Sequence, residues 1–247
     1  MKGNKSKLVK ILLLSLAGLL IIGGAGFYIW SQQTYSASAE MVALVGEENI
    51  HLEEDWVIFT PDQEVTKTGL ILYPGAKVEP EAYSYIGQGL AQRGYTVVIP
   101  NVLLNFAFFD VNKADEIREA YPEVKSWVIG GHSLGGVAAA SYAYKHEEQL
   151  GGLFFLGAYP ADSNNFSNTK LPILSIYGEL DGLTTVEKID STQRLLAPNA
   201  VLHEIAGGNH AQFGMYGPQK GDQEATISAV EQQDIIVGTI GDWLDSL

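Results

Sequence analysis

The sequence predicts an α/β domain built on a mostly parallel sheet with helices on both faces. Two observations carry this. From residue 41 onward, runs that are apolar throughout take turns with amphipathic runs, and no Pro-, Gly- or Ser-rich stretch separates them into two domains. A strand without polar alternation is buried on both faces, and the amphipathic runs are the crossover helices that cover it. With 247 residues and 46% hydrophobic composition, the chain is too apolar to be disordered.

The elements follow in order. "WVIFTP" from Trp56 and "TGLILYPG" from Thr68 read as strands, and "EPEAYSYIGQGLAQRG" as a helix with Tyr83, Ile86 and Leu90 on one face. "YTVVIP" from Tyr95 is a strand, and "KADEIREAYP" a helix that Pro122 ends. "SWVIGG" from Ser126 leads into the small-residue helix "LGGVAAASYAYKH". "GGLFFLGAYP" and "LPILSIYG" are two more strands, followed by the helix "TTVEKIDSTQRLLAP" and the strand "AVLHEIAGG". The last helix lies in "SAVEQQDIIVGTIGDWLDSL", with Val230, Ile235, Ile236, Ile240, Trp243 and Leu244 as its apolar positions. In such a sheet, ligands bind in loops at the carboxyl ends of the strands.

The N-terminus is separate. Lys2, Lys5, Lys7 and Lys10 precede an uncharged run from Ile11 to Trp30, which as a helix spans about 30 Å, the thickness of a bilayer core. The expected organisation is a cytoplasmic basic tail (1–10), a transmembrane signal anchor (11–30), a polar stalk (31–40) and the α/β domain (41–247). Tyr28 and Trp30 sit where interfacial aromatics anchor a span, and the lysines keep the N-terminus inside, so the domain is expected outside a single-pass membrane protein. The alternatives are an export signal cleaved near Ala39, after "ASA", which would secrete the domain, and a buried helix of a soluble protein.

Residues 1–39 hold four of the 15 basic residues and none of the 29 acidic ones, so the remainder carries a net charge of −18. That field repels phosphate backbones and anionic head groups, which argues against nucleic acid and against tight peripheral binding to acidic lipid. There is no cysteine, hence no disulfide, thiolate metal site or cysteine nucleophile. The five histidines, at 51, 132, 146, 203 and 210, show neither HxxxH nor HxH spacing, so no metal site is expected.

Gly131-His132-Ser133-Leu134-Gly135 fits G-x-S-x-G, with an apolar strand before it and a helix of small residues after it. That is the strand–turn–helix setting of a nucleophile elbow. A serine hydroxyl needs a base to take its proton and an acid to orient the base, in the chain order serine, acid, histidine for this arrangement. Asp181 follows the strand in "SIYGELDGL" and His210 follows the strand before "GGNH"; both are expected at the sheet's carboxyl edge. His146 reads as a surface residue, His203 as a strand residue, and the side chain of His132 is expected to point away from the nucleophile. Glu179 is the rival acid. The oxyanion donors are expected to be the backbone N–H of Leu134 and that of Gly75 or Ala76 in "LYPGAKVEPEAY".

"YPGAKVEPEAYSYIG", "GGHSLGG", "SIYGELDGL" and "GGNHAQFGMYGPQKGD" resemble the α/β-hydrolase fold-5 family, which is related to dienelactone hydrolases. The resemblance covers about residues 41–247. It implies an α/β-hydrolase fold with nucleophile Ser133, acid Asp181 and base His210, a small-molecule ester-type substrate and no metal or organic cofactor. Dienelactone hydrolases proper use a cysteine nucleophile, so their own substrate does not transfer. Only "ADSNNFSNTK" separates "GGLFFLGAYP" from "LPILSIYG", too little for the cap domain that many lipases of this superfamily insert. An open cleft walled by Phe106, Phe108, Phe109 and Tyr159 is expected. The rival functions are a non-catalytic binding module that keeps the fold, and a transacylase that passes the acyl group to an alcohol.

Overall fold

The computed structural model describes residues 2–53, 55–62 and 66–247, and the chain divides into two compact units, Met1–Thr34 and Tyr35–Leu247. The first is one helix, α1 (Lys2–Ser31), of which the 23-residue segment Val9–Ser31 is long and apolar enough to cross a bilayer. Within the expected basic tail, Met1 and the side chains of residues 2–6, Lys2 and Lys5 among them, lie outside the described residues.

The second unit is an eight-stranded sheet in the order β1-β2-β4-β3-β5-β6-β7-β8. The strands are β1 (His51–Leu52), β2 (Trp56–Phe59), β3 (Thr68–Tyr73), β4 (Thr96–Pro100), β5 (Ser126–His132), β6 (Gly152–Leu156), β7 (Ile173–Gly178) and β8 (Val201–Ile205). β2 runs antiparallel to β1 and β4; every other pairing is parallel. The helices are α2 (Ala39–Val45), α3 (Ser84–Gln92), α4 (Lys113–Ala120), α5 (Leu134–Ala143), α6 (Val186–Thr192) and α7 (Ala229–Asp245).

Strand alternation divides the core in two. Leu70 and Leu72 of β3 face a cluster with Ile86 and Leu90 of α3 and Ile236, Ile240 and Trp243 of α7. Ile71 and Tyr73 face the other, with Ala114 and Ile117 of α4 and the alanines of α5. Residues 157–172, between β6 and β7, contain no helix, and Phe166 turns this connection back into the core, fully buried.

The second compact unit takes in residues 35–40, which the sequence places in the stalk. Tyr35 N–H donates to Lys77 O at 2.6 Å, Glu79 N–H donates to Tyr35 O, and Ser38 N–H donates to Met215 O. Ser38 also caps α2 through Met41 N–H, which places Met41 and Val45 in the core. Met41→Ala is therefore expected to cost about 2–5 kcal/mol, as for a fully buried side chain. Urea titration of the full chain checks it; a stalk residue would change stability by less than about 0.5 kcal/mol.

Candidate active site

β5 ends at His132 and α5 begins at Leu134, so Ser133 alone turns the chain, at φ 52° and ψ −123°. A non-glycine residue there is strained by on the order of 1–3 kcal/mol. Two glycines let strand and helix meet that closely. A Cβ on Gly131 would lie 2.6 Å from Gly136 N, and one on Gly135 would strike the carbonyls of Tyr73 and Pro74. The second contact also sets the start of α5 directly against the loop after β3. Ser133 is partly exposed, and its hydroxyl makes no hydrogen bond among the described residues. Leu134 N–H, in the first turn of α5, has no partner among them either.

Asp181 and His210 are both buried and meet at 2.7 Å between Oδ2 and Nδ1. The other carboxylate oxygen of Asp181 accepts from Leu183 N–H at 2.9 Å and Thr184 N–H at 2.5 Å, which fixes its orientation. His210 Nε2 is buried and has no partner among the described residues. Ser133 N–H donates to Leu156 O at 3.0 Å, and a Cβ on the next residue but none, Gly157, would lie 3.0 Å from Asp181 Oδ2. The structure thus gathers the elbow and the acid–histidine pair at one edge of the sheet, after β5, β7 and β8. The rival acid Glu179 is occupied elsewhere, accepting Gly207 N–H at 2.8 Å.

The loop after β3 separates the two oxyanion candidates. Gly75 N–H donates to Tyr83 Oη at 2.9 Å, whereas Ala76 N–H has no partner among the described residues. Phe106, Phe108 and Phe109 cluster edge to face after β4, with ring centroids 6.1 and 5.8 Å apart, and Phe108 and Phe109 are exposed. Tyr159 is not part of that cluster. It follows β6, half-buried, with Lys188 Nζ 4.8 Å above its ring. A cavity of about 540 Å³ opens beside the His210 loop, lined by Asn209, Ala211, Gln212, Met215, Asp222 and Glu224 among others, but by none of Ser133, Asp181 and His210.

His132 packs against the base. Its ring lies 4.5 Å from that of His210 and stacks on Phe213, and its Nδ1 is 2.9 Å from Tyr83 Oη. Burial, then the neighbouring His210, hold its pKa well below 6.5, with the His210 backbone pulling weakly the other way. Burial likewise pushes the Tyr83 and Tyr216 hydroxyls up. His132 therefore stays neutral in the folded chain while the unfolded chain takes up a proton below pH 6.5. Its contribution to stability is full above that pH and falls by about 1.4 kcal/mol per pH unit below it, until the folded pKa is reached. Urea midpoints between pH 7.5 and 5 should fall less steeply for His132→Asn than for the parent chain.

Sequence reasoning also missed the residues that hold the His210 loop. Gln232, fully buried on α7, accepts Asn209 N–H and donates to Asn209 O. Asp222 accepts Gly182 N–H and Ala211 N–H, joining the acid loop to the base loop. Gln232 left a signal, since it shares the helical face of Ile236, Ile240 and Trp243 and so stands as a polar residue in an apolar stripe.

Residues 69–234 match the sequence model of the alpha/beta hydrolase family. The chain belongs to that family. Among curated proteins, none matches this alpha/beta hydrolase in sequence. In fold it is similar to the esterase domain of a Rhodothermus marinus protein, at 14% identity over 76% of this chain and 90% of that one, TM-score 0.59. It is also similar to an alpha/beta hydrolase enzyme from the metagenome of lagoon sediments at Mar Chica, Morocco (16% identity, 80% and 98% covered, TM-score 0.60). A thermophilic esterase from Thermogutta terrifontis gives 13% identity, 80% and 97% covered, and TM-score 0.57.

Proposed function

We propose that this alpha/beta hydrolase is a membrane-anchored, extracytoplasmic serine hydrolase that cleaves an ester or related acyl bond. The observation that carries the reading is the buried Asp181–His210 pair, whose free Nε2 lies at the sheet edge from which Ser133 rises. Ser133 Oγ attacks the carbonyl carbon while His210 Nε2 takes its proton, and Asp181 orients the ring and stabilises the imidazolium. The oxyanion accepts from Leu134 N–H and Ala76 N–H. His210 then protonates the leaving alkoxide, which departs as the alcohol. Water repeats the sequence on the acyl-enzyme, releasing the acid and restoring Ser133. The hydrogen bond from serine to histidine commonly tightens only with substrate in place, which suits a hydroxyl that is uncommitted here.

The aromatics after β4 and Tyr159 after β6 flank Ser133 on either side of β5, as walls of an open cleft for small or extended acyl groups. α1 serves as the anchor. Cleavage near Ala39 would detach Tyr35 from its bridge to Val78 and Ser38 from α2, which favours an uncleaved span. The test is a fluorophosphonate probe on the full chain in detergent. Covalent labelling that disappears in Ser133→Ala is expected, and labelling that survives the substitution would overturn the reading.

A further inference from the structure

In the loop after β3, four consecutive residues present N–H groups, and three of them are spoken for. Gly75 N–H donates to Tyr83 Oη at 2.9 Å, Lys77 N–H to Asn105 O at 2.8 Å and Val78 N–H to Gly75 O at 3.1 Å. Ala76 N–H alone has no partner among the described residues. The turn that separates it from its neighbours puts Lys77 at φ 62°, in the left-handed region.

Tyr83 is fully buried, so both of its hydrogen bonds must be accounted for within the fold. Its oxygen accepts from Gly75. Its single proton has one acceptor among the described residues, His132 Nδ1 at 2.9 Å. The opposite polarity, Nδ1–H donating to Tyr83, would leave two buried groups unsatisfied, the hydroxyl proton and the Nε2 lone pair, whereas a proton on Nε2 leaves only that N–H, which has no partner among the described residues. His132 is therefore the Nε2–H tautomer and acts as a fixed neutral acceptor. The same ring packs 4.5 Å from His210. Tyr83 adjoins the loop that follows His210, since Met215 N–H donates to Ala82 O at 2.7 Å.

We propose that Tyr83 and His132 are a positioning pair that sets the second oxyanion donor: His132 fixes the Tyr83 hydroxyl, Tyr83 takes up Gly75 N–H, and Ala76 N–H is thereby left turned to the reacting carbonyl. The pair touches no reacting atom, and it joins the oxyanion loop to the histidine loop so that donor and base keep one spacing. This rests on the serine-hydrolase reading.

The test measures p-nitrophenyl acetate hydrolysis by the full chain in detergent, with fluorophosphonate labelling and thermal melting of each variant. Tyr83→Phe keeps the ring and removes the hydroxyl. Its kcat is expected to fall about 10- to 100-fold, as for a modest misplacement of catalytic groups, with KM nearly unchanged and labelling retained. His132→Leu should fall equally, and the double variant should be no worse than either single one. His132→Asn, whose amide oxygen can stand in for Nδ1, should hold kcat within about threefold of the parent. A folded Tyr83→Phe with parental kcat, or His132→Asn as impaired as His132→Leu, or additive losses, would overturn the inference. Where His132→Leu does not fold, Tyr83→Phe and His132→Asn decide it. If the parent chain neither labels nor turns over ester, the serine-hydrolase reading fails and takes this inference with it; an active, labelled parent with an unaffected Tyr83→Phe rejects this inference alone.

Discussion

Ser133→Ala is expected to lower kcat for p-nitrophenyl acetate by on the order of a million-fold, His210→Ala by a similar factor, and the double variant by no more than either. On the serine-hydrolase reading the two losses coincide because the residues perform one act. His132 Nδ1 is bound to Tyr83, whereas His210 Nε2 has no partner among the described residues and is the nitrogen free to take the proton. Removing either ends proton transfer, and removing the second then costs nothing further. A residual rate above the uncatalysed one should survive, because the backbone donors at Leu134 and Ala76 do not depend on either side chain. KM should stay near the parental value. Steady-state kinetics of the three variants in the full chain check this, and losses that multiply would mean that Ser133 and His210 act independently.

The placement of Ser133, Asp181 and His210 was readable because each follows a strand-like run, "SWVIGGH", "ILSIYG" and "VLHEI", and the strands of a parallel sheet end along one edge. The glycines at 131 and 135 were readable for a related reason: strand and helix touch there, and only hydrogen fits. What stayed hidden depends on topology rather than on local pattern. Strand alternation puts Val128 and His132 on the same face of β5, but nothing in the residues says that the loop after β8 folds over that face and sets Phe213 and His210 against the His132 ring. Tyr83 read as one more apolar position of a helix, alongside Ile86 and Leu90. Its hydroxyl acquires a role only through partners at Gly75 and His132, on two other segments. The early start of the domain was hidden by composition, since "YSASAE" is polar and small. Ser38 three residues before Met41 was nonetheless a capping signal of the kind that opens a helix.

Asp181→Asn is expected to cost about 10⁴-fold in kcat with the fold intact, through the tautomer of His210 and not through its position. Leu183 N–H and Thr184 N–H both point at Oδ1 of the parent side chain, so the amide of the variant must turn its oxygen to them and its NH₂ to His210. Facing a donor, Nδ1 has to accept, and the ring proton moves to Nε2. A base that already carries its proton on Nε2 cannot take another from serine without becoming an imidazolium that no carboxylate stabilises. The loss should fall on kcat, with KM close to parental and fluorophosphonate labelling slowed in proportion. Glu179→Gln is the control: Glu179 holds Gly207 N–H, a bond the amide oxygen can still accept, so kcat should change by less than about tenfold. If instead Glu179→Gln shows the large loss and Asp181→Asn the small one, the roles of the two acids are reversed.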